Sequence, residues 1–307
     1  MNILVTGGAG FIGSHVVEAY ISAGHDVIVI DDLSSGVKEN INPKAEFHQL
    51  DIRSADIEQV FQRHKIDVVN HHAAQMDVRR SVADPKFDAS VNVMGGLNVF
   101  EAARQHGVKK IIFSSTGGAI YGEQDYFPAD EEHPVRPLSP YGITKLVTEK
   151  YLFYYKEVHG IEHVVLRYAN VYGPRQNPHG EAGVVAIFAK KMLQGESPVI
   201  NGDGKQTRDY TFVGDVVKAS VLALNYPGSS IFNIGTGLET DVNELFRILR
   251  GWLSPNCAEN HGPGKQGEQR RSVISYKKIE RELGWKPLVD LSEGLRLTAE
   301  YFKKKFA

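Results

Sequence analysis

The chain has 307 residues, of which 42% are hydrophobic and 23% charged, ordinary globular usage that excludes disordered and fibrous classes. Its 37 acidic and 35 basic residues leave a net charge of −2, which argues against nucleic acid as a partner. The single cysteine, Cys257, cannot form an internal disulfide and fits a reducing compartment. No apolar run approaches the ~20 residues that cross a bilayer, and the opening residues show no basic-then-apolar leader. A cytoplasmic protein with no membrane partner is expected.

In chain order, short β-branched runs at 3–6, 27–30, 46–49, 68–71, 110–115 and 163–167 read as strands. Helical patterns at 11–23, 56–64, 86–106 and 141–159 lie between them. Continuously apolar strands alternating with amphipathic helices predict an α/β domain built on a doubly wound parallel sheet. Beyond about residue 170 come loops at 173–183, 201–205 and 255–267, with helices at 184–193, 215–224, 241–252 and 291–304. Asp241, with Glu244 three residues on, reads as a capping box. The expected organisation is a first domain over 1–168, which also receives 209–235. A smaller C-terminal α/β domain, with interleaved segments, covers 169–307.

The first strand runs directly into Gly7-Gly8-Ala9-Gly10-Phe11-Ile12-Gly13, and a helix follows. Only a turn without side chains lets the backbone approach a pyrophosphate, and the helix start offers free N–H groups to its charge. Asp31 stands 18 residues past Gly13 at the end of the second strand, where a carboxylate accepts from ribose hydroxyls. That carboxylate repels a 2′-phosphate, so NAD is expected over NADP in a Rossmann-type site.

Tyr141 and Lys145 in Tyr141-Gly142-Ile143-Thr144-Lys145 fall one turn apart on one helix face. A phenol with a pKa of about 10 is a poor base. A neighbouring ammonium, helped by a positive nicotinamide ring, lowers it, and about three units cost ~4 kcal/mol. Ser114-Ser115-Thr116 leave the fifth strand at the sheet edge where ligands of such folds bind, so a hydroxyl there can hold the oxygen that Tyr141 deprotonates.

With both motifs the chain resembles the extended short-chain dehydrogenase/reductase family over essentially its whole length, and most of all its NAD-dependent UDP-sugar epimerases. Carrying that resemblance are Asp51-Ile52, His72-Ala73-Ala74-Gln75, Ser81, Asn92, Phe113 to Thr116 with Tyr121-Gly122, Leu166 to Arg175, and Gly202 to Tyr210. It implies Thr116, Tyr141 and Lys145 as the catalytic residues. It implies NAD contacts from Gly7, Gly10, Phe11, Ile12, Gly13, Asp31, Asp32, Leu33, Ser34, Ser35 and Gly36. Further contacts would come from Asp51, Ile52, His72, Ala73, Ala74, Gln75, Asn92, Ser114, Tyr141, Lys145, Tyr168 and Val171. For the UDP-sugar it implies Thr116, Tyr141, Asn170, Val184, Arg208, Lys265, Glu268 and Ser272. Two departures stand out. The loop from Thr116 to Gly122 is one residue longer than usual, and Lys265 stands where the family has an arginine, giving a point charge without the fork.

The activity implied is inversion at C4 of a UDP-hexose, UDP-glucose or UDP-galactose, through a 4-keto sugar. A 4,6-dehydratase would need Asp-Glu after the threonine, where Gly117 and Gly118 stand, and a UDP-glucuronate decarboxylase would need a Glu in the same loop. A UDP-glucuronate 4-epimerase stays open, as does a catalytically idle NAD-binding sensor or scaffold. Ser272 aligns with a position where a bulky aromatic restricts sugar size, which implies room for a 2-acetamido group.

Elsewhere bland readings win. His71 and His72, adjacent on a strand, point to opposite faces and cannot share an ion, and no other histidine pair has ligand spacing, so no metal is expected. Arg79-Arg80 read as a solvated charge pair or as a helix start near the cofactor. The helix over 144–158 is apolar nearly all round, more than one core face needs. With the apolar side of 91–103 it predicts a homodimer through a four-helix bundle, as in family members.

Overall fold

Residues 1–178, 183–264 and 269–306 are described by the computed structural model. In chain order the elements begin β1 (Asn2–Thr6), α1 (Phe11–Ser22), β2 (Asp26–Asp31), β3 (Glu46–Gln49), α2 (Ile57–Arg63), β4 (Val68–His71), α3 (Val78–Ala83) and α4 (Pro85–Ala89). Then come α5 (Gly96–Gln105), β5 (Lys110–Thr116), α6 (Gly117–Ile120), α7 (Pro140–His159), β6 (Glu162–Tyr168), β7 (Asn170–Tyr172) and α8 (Val184–Leu193). Next are β8 (Val199–Asn201), β9 (Thr207–Arg208), β10 (Tyr210–Phe212), α9 (Val213–Leu224), β11 (Ser230–Ile234) and β12 (Thr240–Asp241). The chain finishes with α10 (Val242–Leu253), β13 (Asn260–Gly262), β14 (Arg271–Ser272), α11 (Lys277–Leu283) and α12 (Leu291–Phe306).

Two units divide the chain. The first comprises Met1–Ile120, Pro137–Arg167 and Val217–Phe232; the second comprises Tyr121–Arg136, Tyr168–Val216 and Asn233–Ala307. Thus 121–136 goes with the second unit, and of the 209–235 return only Val217–Phe232 joins the first.

Unit 1 carries a seven-stranded sheet in the order β3-β2-β1-β4-β5-β6-β11. Pairing is parallel from β3 through β2, β1 and β4 to β5. Strand order reverses between β1 and β4, so the connections leaving their C-terminal ends diverge and open a crevice. Buried Leu4, Ile30, Val69, Ile111 and Val165 meet Phe61 of α2, Phe100 of α5 and Leu152 of α7, one continuous apolar layer. On α1, Val16, Val17 and Tyr20 are buried, and the Tyr20 hydroxyl donates to Ser220 O at 3.1 Å.

The single helix expected over 86–106 is instead α4, a π-helical segment Ser90–Gly95, and α5. The wider turn carries Asn92 inward, where its side chain accepts from Gln75 N (2.8 Å) and donates to Gln75 O (3.0 Å). A period count cannot foresee one extra residue in a helix, since apolar spacing on either side stays regular. Likewise 117–120, expected as loop, forms the short turn α6.

Unit 2 has small sheets: β7 with β10 in parallel, β12-β9-β14, and β8 with β13. Its core gathers Tyr172, Phe188, Ile200, Leu245, Phe246 and Leu295 from α8, α10, α12 and their flanking strands. Asp241 caps α10, accepting from Glu244 N at 2.7 Å. Strands of two or three residues left no periodic trace in the sequence, which is why only the helices of this unit were expected. Among the described residues no helix is long and apolar enough to cross a membrane.

Unit 1 buries one complete ion pair. Arg167 donates to Glu149 through Nε (3.0 Å) and Nη2 (2.7 Å), and Ser115 Oγ donates to the same carboxylate at 2.6 Å. Both charged side chains are at most 5% exposed. Removing one partner strands a buried charge, whereas removing both does not. Glu149→Leu is expected to cost about 3–5 kcal/mol in urea unfolding. Adding Arg167→Met to that variant should recover much of the loss, read as a return of the unfolding midpoint.

Candidate active site

The glycine turn is built as its spacing requires. Gly7 has φ +72°, and a Cβ there would lie 2.7 Å from Ala73 N, at the end of β4. At Gly13 a Cβ would come within 2.2 Å of Gly7 O, so α1 can approach the turn only without a side chain. Gly10 caps α1 with no side-chain acceptor, which leaves first-turn N–H groups for an anion. The loop after β2 folds back over this turn: Val37 N and Asn40 Nδ2 both donate to Ala9 O at 3.1 Å.

Asp31 is buried and anchors the same cradle, accepting from Ala9 N (3.0 Å) and Leu33 N (2.8 Å). Burial raises its pKa, against those two N–H donors. Leu33 is a non-glycine residue at φ +61°, a backbone state that persists only where the surroundings demand it. Asp32 accepts from Ser34 N and Oγ (2.9 and 2.6 Å), while Ser35 and Gly36 complete the loop. Asp51 is held by Arg53, through N at 2.8 Å and Nε at 3.0 Å, and this guanidinium keeps its carboxyl below the usual range. Ile52 is buried in the core, its carbonyl accepting from Asn98 Nδ2 at 2.8 Å. Phe11, Ile12, Ala74 and Ser34 line the same ends of α1, β2 and β4. An uncapped helix start, a side-chain-free turn and a carboxylate at the end of β2 fit an NAD molecule in the usual doubly wound manner.

Next to this cradle stands the candidate chemistry. Ser139 caps α7, accepting from Gly142 N at 3.2 Å, and Pro140 occupies the first turn. Tyr141 follows, its N–H donating to Ser81 Oγ at 3.2 Å. One turn on, Lys145 Nζ donates to Ser114 O at 2.8 Å and lies 5.8 Å from the Tyr141 ring centroid and 4.8 Å from that of Phe113. Burial pulls its pKa down to about 8, opposed by the Asp88 and Glu149 carboxylates. The three hydroxyls of β5 have distinct partners. Ser114 Oγ meets His72 Nδ1 at 2.8 Å, Ser115 serves Glu149, and Thr116 Oγ1 accepts from Ala119 N at 3.2 Å.

Within the chain alone, burial, and after it the Asp88 carboxylate, push the Tyr141 phenol up, so the expected lowering falls to Lys145 together with the nicotinamide charge. One of the three ammonium N–H groups bonds the Ser114 carbonyl, and burial and Asp88 oppose a phenolate. Asp88 is a further member of the site that sequence reasoning passed over. It is fully buried and accepts from Gln75 Nε2 (2.9 Å), Asn92 Nδ2 (3.1 Å) and Thr144 Oγ1 (2.9 Å). Its spacing of four residues from Asn92, on an otherwise apolar face, was the available signal. His71 and His72 point apart as expected: His71 Nδ1 pairs with Thr6 Oγ1 at 2.7 Å, and burial drives both rings down to about 3, keeping them neutral.

Unit 2 holds the remaining candidates. Arg208 and Ser272 are register partners on β9 and β14, and Arg208 Nη1 donates to Thr207 O at 2.8 Å. Asn170 is the partner of Tyr210 on β7 and β10, and its N–H donates to Asp209 O at 2.9 Å. Tyr168 is buried, Val171 O accepts from Gln176 Nε2 at 2.9 Å, and Val184 packs on the unit's core at the start of α8. Ser272 is buried. Lys265 and Glu268 lie outside the described residues.

This chain belongs to the NAD dependent epimerase/dehydratase family, whose model matches residues 3–235. It is 46% identical over 312 residues to the UDP-glucose 4-epimerase of Mycolicibacterium smegmatis, covering 99% of both chains. Among solved structures it is similar to the UDP-glucose 4-epimerase of Thermotoga maritima with UDP-glucose, at 50% identity, a TM-score of 0.98 and full coverage of both chains. It is also similar to that of Thermus thermophilus in complex with NAD, at 44% identity, a TM-score of 0.94 and 99% coverage of each.

The lowered pKa of Lys145 gives a signed stability prediction. The folded chain releases the ammonium proton near pH 8 and the unfolded chain only near 10.5. Between those values the unfolded state binds more protons, so this group's contribution to stability rises with pH, and below 8 its charge is a cost. Lys145→Met is therefore expected to melt no lower than the parent at pH 7. Its advantage should shrink above pH 9, as followed by calorimetry at both values.

Proposed function

We propose that the chain is an NAD-dependent isomerase that inverts C4 of a UDP-hexose, interconverting UDP-glucose and UDP-galactose through a transient 4-keto sugar. The observation that carries this reading is the Tyr141–Lys145 pair at the start of α7, beside the hydroxyls ending β5, with glycines at 117 and 118. An elimination or decarboxylation needs an acid in that loop, and α6 begins with two residues that have no side chain. The named activities of the similar proteins support the same substrate.

Tyr141 takes the proton of the sugar 4-hydroxyl and returns it, and Thr116 Oγ1 shares the hydrogen bond to that oxygen. NAD, when bound, supplies a two-electron acceptor for the C4 hydrogen and a positive ring that offsets what raises the Tyr141 phenol. Lys145 holds a ribose hydroxyl and keeps positive charge near the phenol. His71 and His72 stay neutral, so they add no competing cation. By the family resemblance Arg208, Asn170 and Lys265 would hold the UDP diphosphate, with Val184, Glu268 and Ser272 as the remaining substrate contacts, and a loosely held ketone could present either face.

The catalytic part is tested by Tyr141→Phe, which should lower turnover of UDP-galactose by about 10³-fold or more, ~4 kcal/mol of barrier. NAD should still be released on denaturing the variant, as measured by mass spectrometry. Near-parental turnover would remove Tyr141 as the base, and turnover of UDP-glucuronate alone would remove the UDP-hexose as substrate. A chain that binds NAD and turns over no UDP-sugar would be the idle sensor. The buried serine at 272 favours acceptance of N-acetylated hexosamines as a second substrate pair.

The same reading includes a cytoplasmic homodimer. On α7, Phe153 is 60% and Val158 59% exposed, with Ile143, Tyr151 and Tyr154 beside them, and Met94 is 62% exposed in the π-helical segment. Apolar groups in that number favour a partner helix pair over water. Equilibrium sedimentation at micromolar concentration is expected to give twice the chain mass, and Phe153→Glu to shift it toward one.

A further inference from the structure

Away from the crevice, three side chains that lie far apart in sequence converge at the open edge of the unit 1 sheet. Glu46 and His48 sit two residues apart on one face of β3, the outermost strand, and His64 caps the C-terminus of α2. His48 Nε2 lies 2.9 Å from Glu46 Oε1, and His64 Nε2 lies 3.0 Å from the same oxygen. The three donor atoms are all within 4.8 Å of one another. The His48 and His64 rings meet edge to face, with centroids 6.0 Å apart.

Two features distinguish this from an ordinary surface ion pair. His48 makes a hydrogen bond to Glu46, whereas His64 Nε2, at nearly the same distance, makes none and is itself shielded from solvent. Two ring nitrogens therefore approach one carboxylate oxygen from two different elements. The backbone already fixes the elements involved: β3 is paired with β2, and His64 N donates to Val60 O at 3.2 Å. Little further ordering is needed to close the site, which is what makes weak surface ligands effective.

We propose that Glu46, His48 and His64 form a site for a zinc-like divalent cation, separate from the NAD cradle and the tyrosine. Two imidazoles and one carboxylate suit Zn²⁺ rather than Mg²⁺, which takes oxygen ligands. Bonds of about 2.0–2.2 Å in tetrahedral array place donors roughly 3.3–3.5 Å apart, so shifts of a few tenths of an ångström bring the two short contacts into range. Three protein ligands leave the fourth position to water. Beside the site lies a surface depression of about 340 Å³ walled by Glu46 and His64, which also contains Asp26 and Lys44. The bound ion would clip edge strand β3 to α2 and act on stability, not on turnover.

The full chain is titrated with Zn²⁺ alone against a chromogenic chelator, with Mg²⁺ as the comparison ion. One Zn²⁺ per chain is expected, with none of the Mg²⁺ bound, and Zn²⁺ should raise the melting temperature. His48→Ala and His64→Ala should each weaken binding by at least the roughly tenfold that loss of an outer-shell partner costs. Both variants should keep parental melting temperatures without metal and parental turnover. Absence of stoichiometric Zn²⁺ binding would overturn the site, and so would unchanged affinity in His64→Ala, since the ion would then sit elsewhere.

Discussion

A lysine ammonium taken out of water sets the terms for everything around it in unit 1. Lys145 is 4% exposed and has a backbone carbonyl as its hydrogen-bond acceptor. A lone cation in such a place loses several kcal/mol of hydration, and its protonation equilibrium moves accordingly. The surroundings offset part of that loss. Asp88 and Glu149 supply negative charge nearby, and the two histidines at the end of β4 remain neutral. Asp88 in turn is held by Gln75, Asn92 and Thr144, so the π-helical segment and the start of α7 are bound to the same electrostatic demand.

The same charge explains why Tyr141 is not activated by proximity alone. The Lys145 ammonium lies 5.8 Å from the centre of the Tyr141 ring, while burial and Asp88 push the phenol up. On the proposed mechanism, activation would depend on positive charge brought with the cofactor, which would couple proton removal to occupancy of the dinucleotide cradle.

What the sequence made legible was local. The glycine turn, the acid ending β2, the Tyr-x-x-x-Lys helix and six of the seven main strands all write themselves in neighbouring residues. Gly7 and Gly13 are forced by backbone approaches the spacing alone implied. What stayed hidden depends on distant pairs: Asp88 with Thr144, Glu149 with Arg167, and Glu46 and His48 with His64. No periodicity marks such meetings, because each partner looks ordinary within its own element. The two- and three-residue strands of unit 2 were hidden for a different reason, being shorter than one period of alternation.

The way the two units share the chain has a consequence for how the molecule is made. Unit 1 needs three separate stretches, the last ending at Phe232, while unit 2 begins at Tyr121 and draws on residues past 233. A ribosome delivering the polypeptide from its N-terminus therefore cannot finish either body before most of the message is read. The early strands β1 to β5 must wait, with β6 and β11 still to be added on one side of the sheet. Cutting the gene anywhere between codons 121 and 232 would separate parts of both bodies, so neither half of a clone split there should fold without the other.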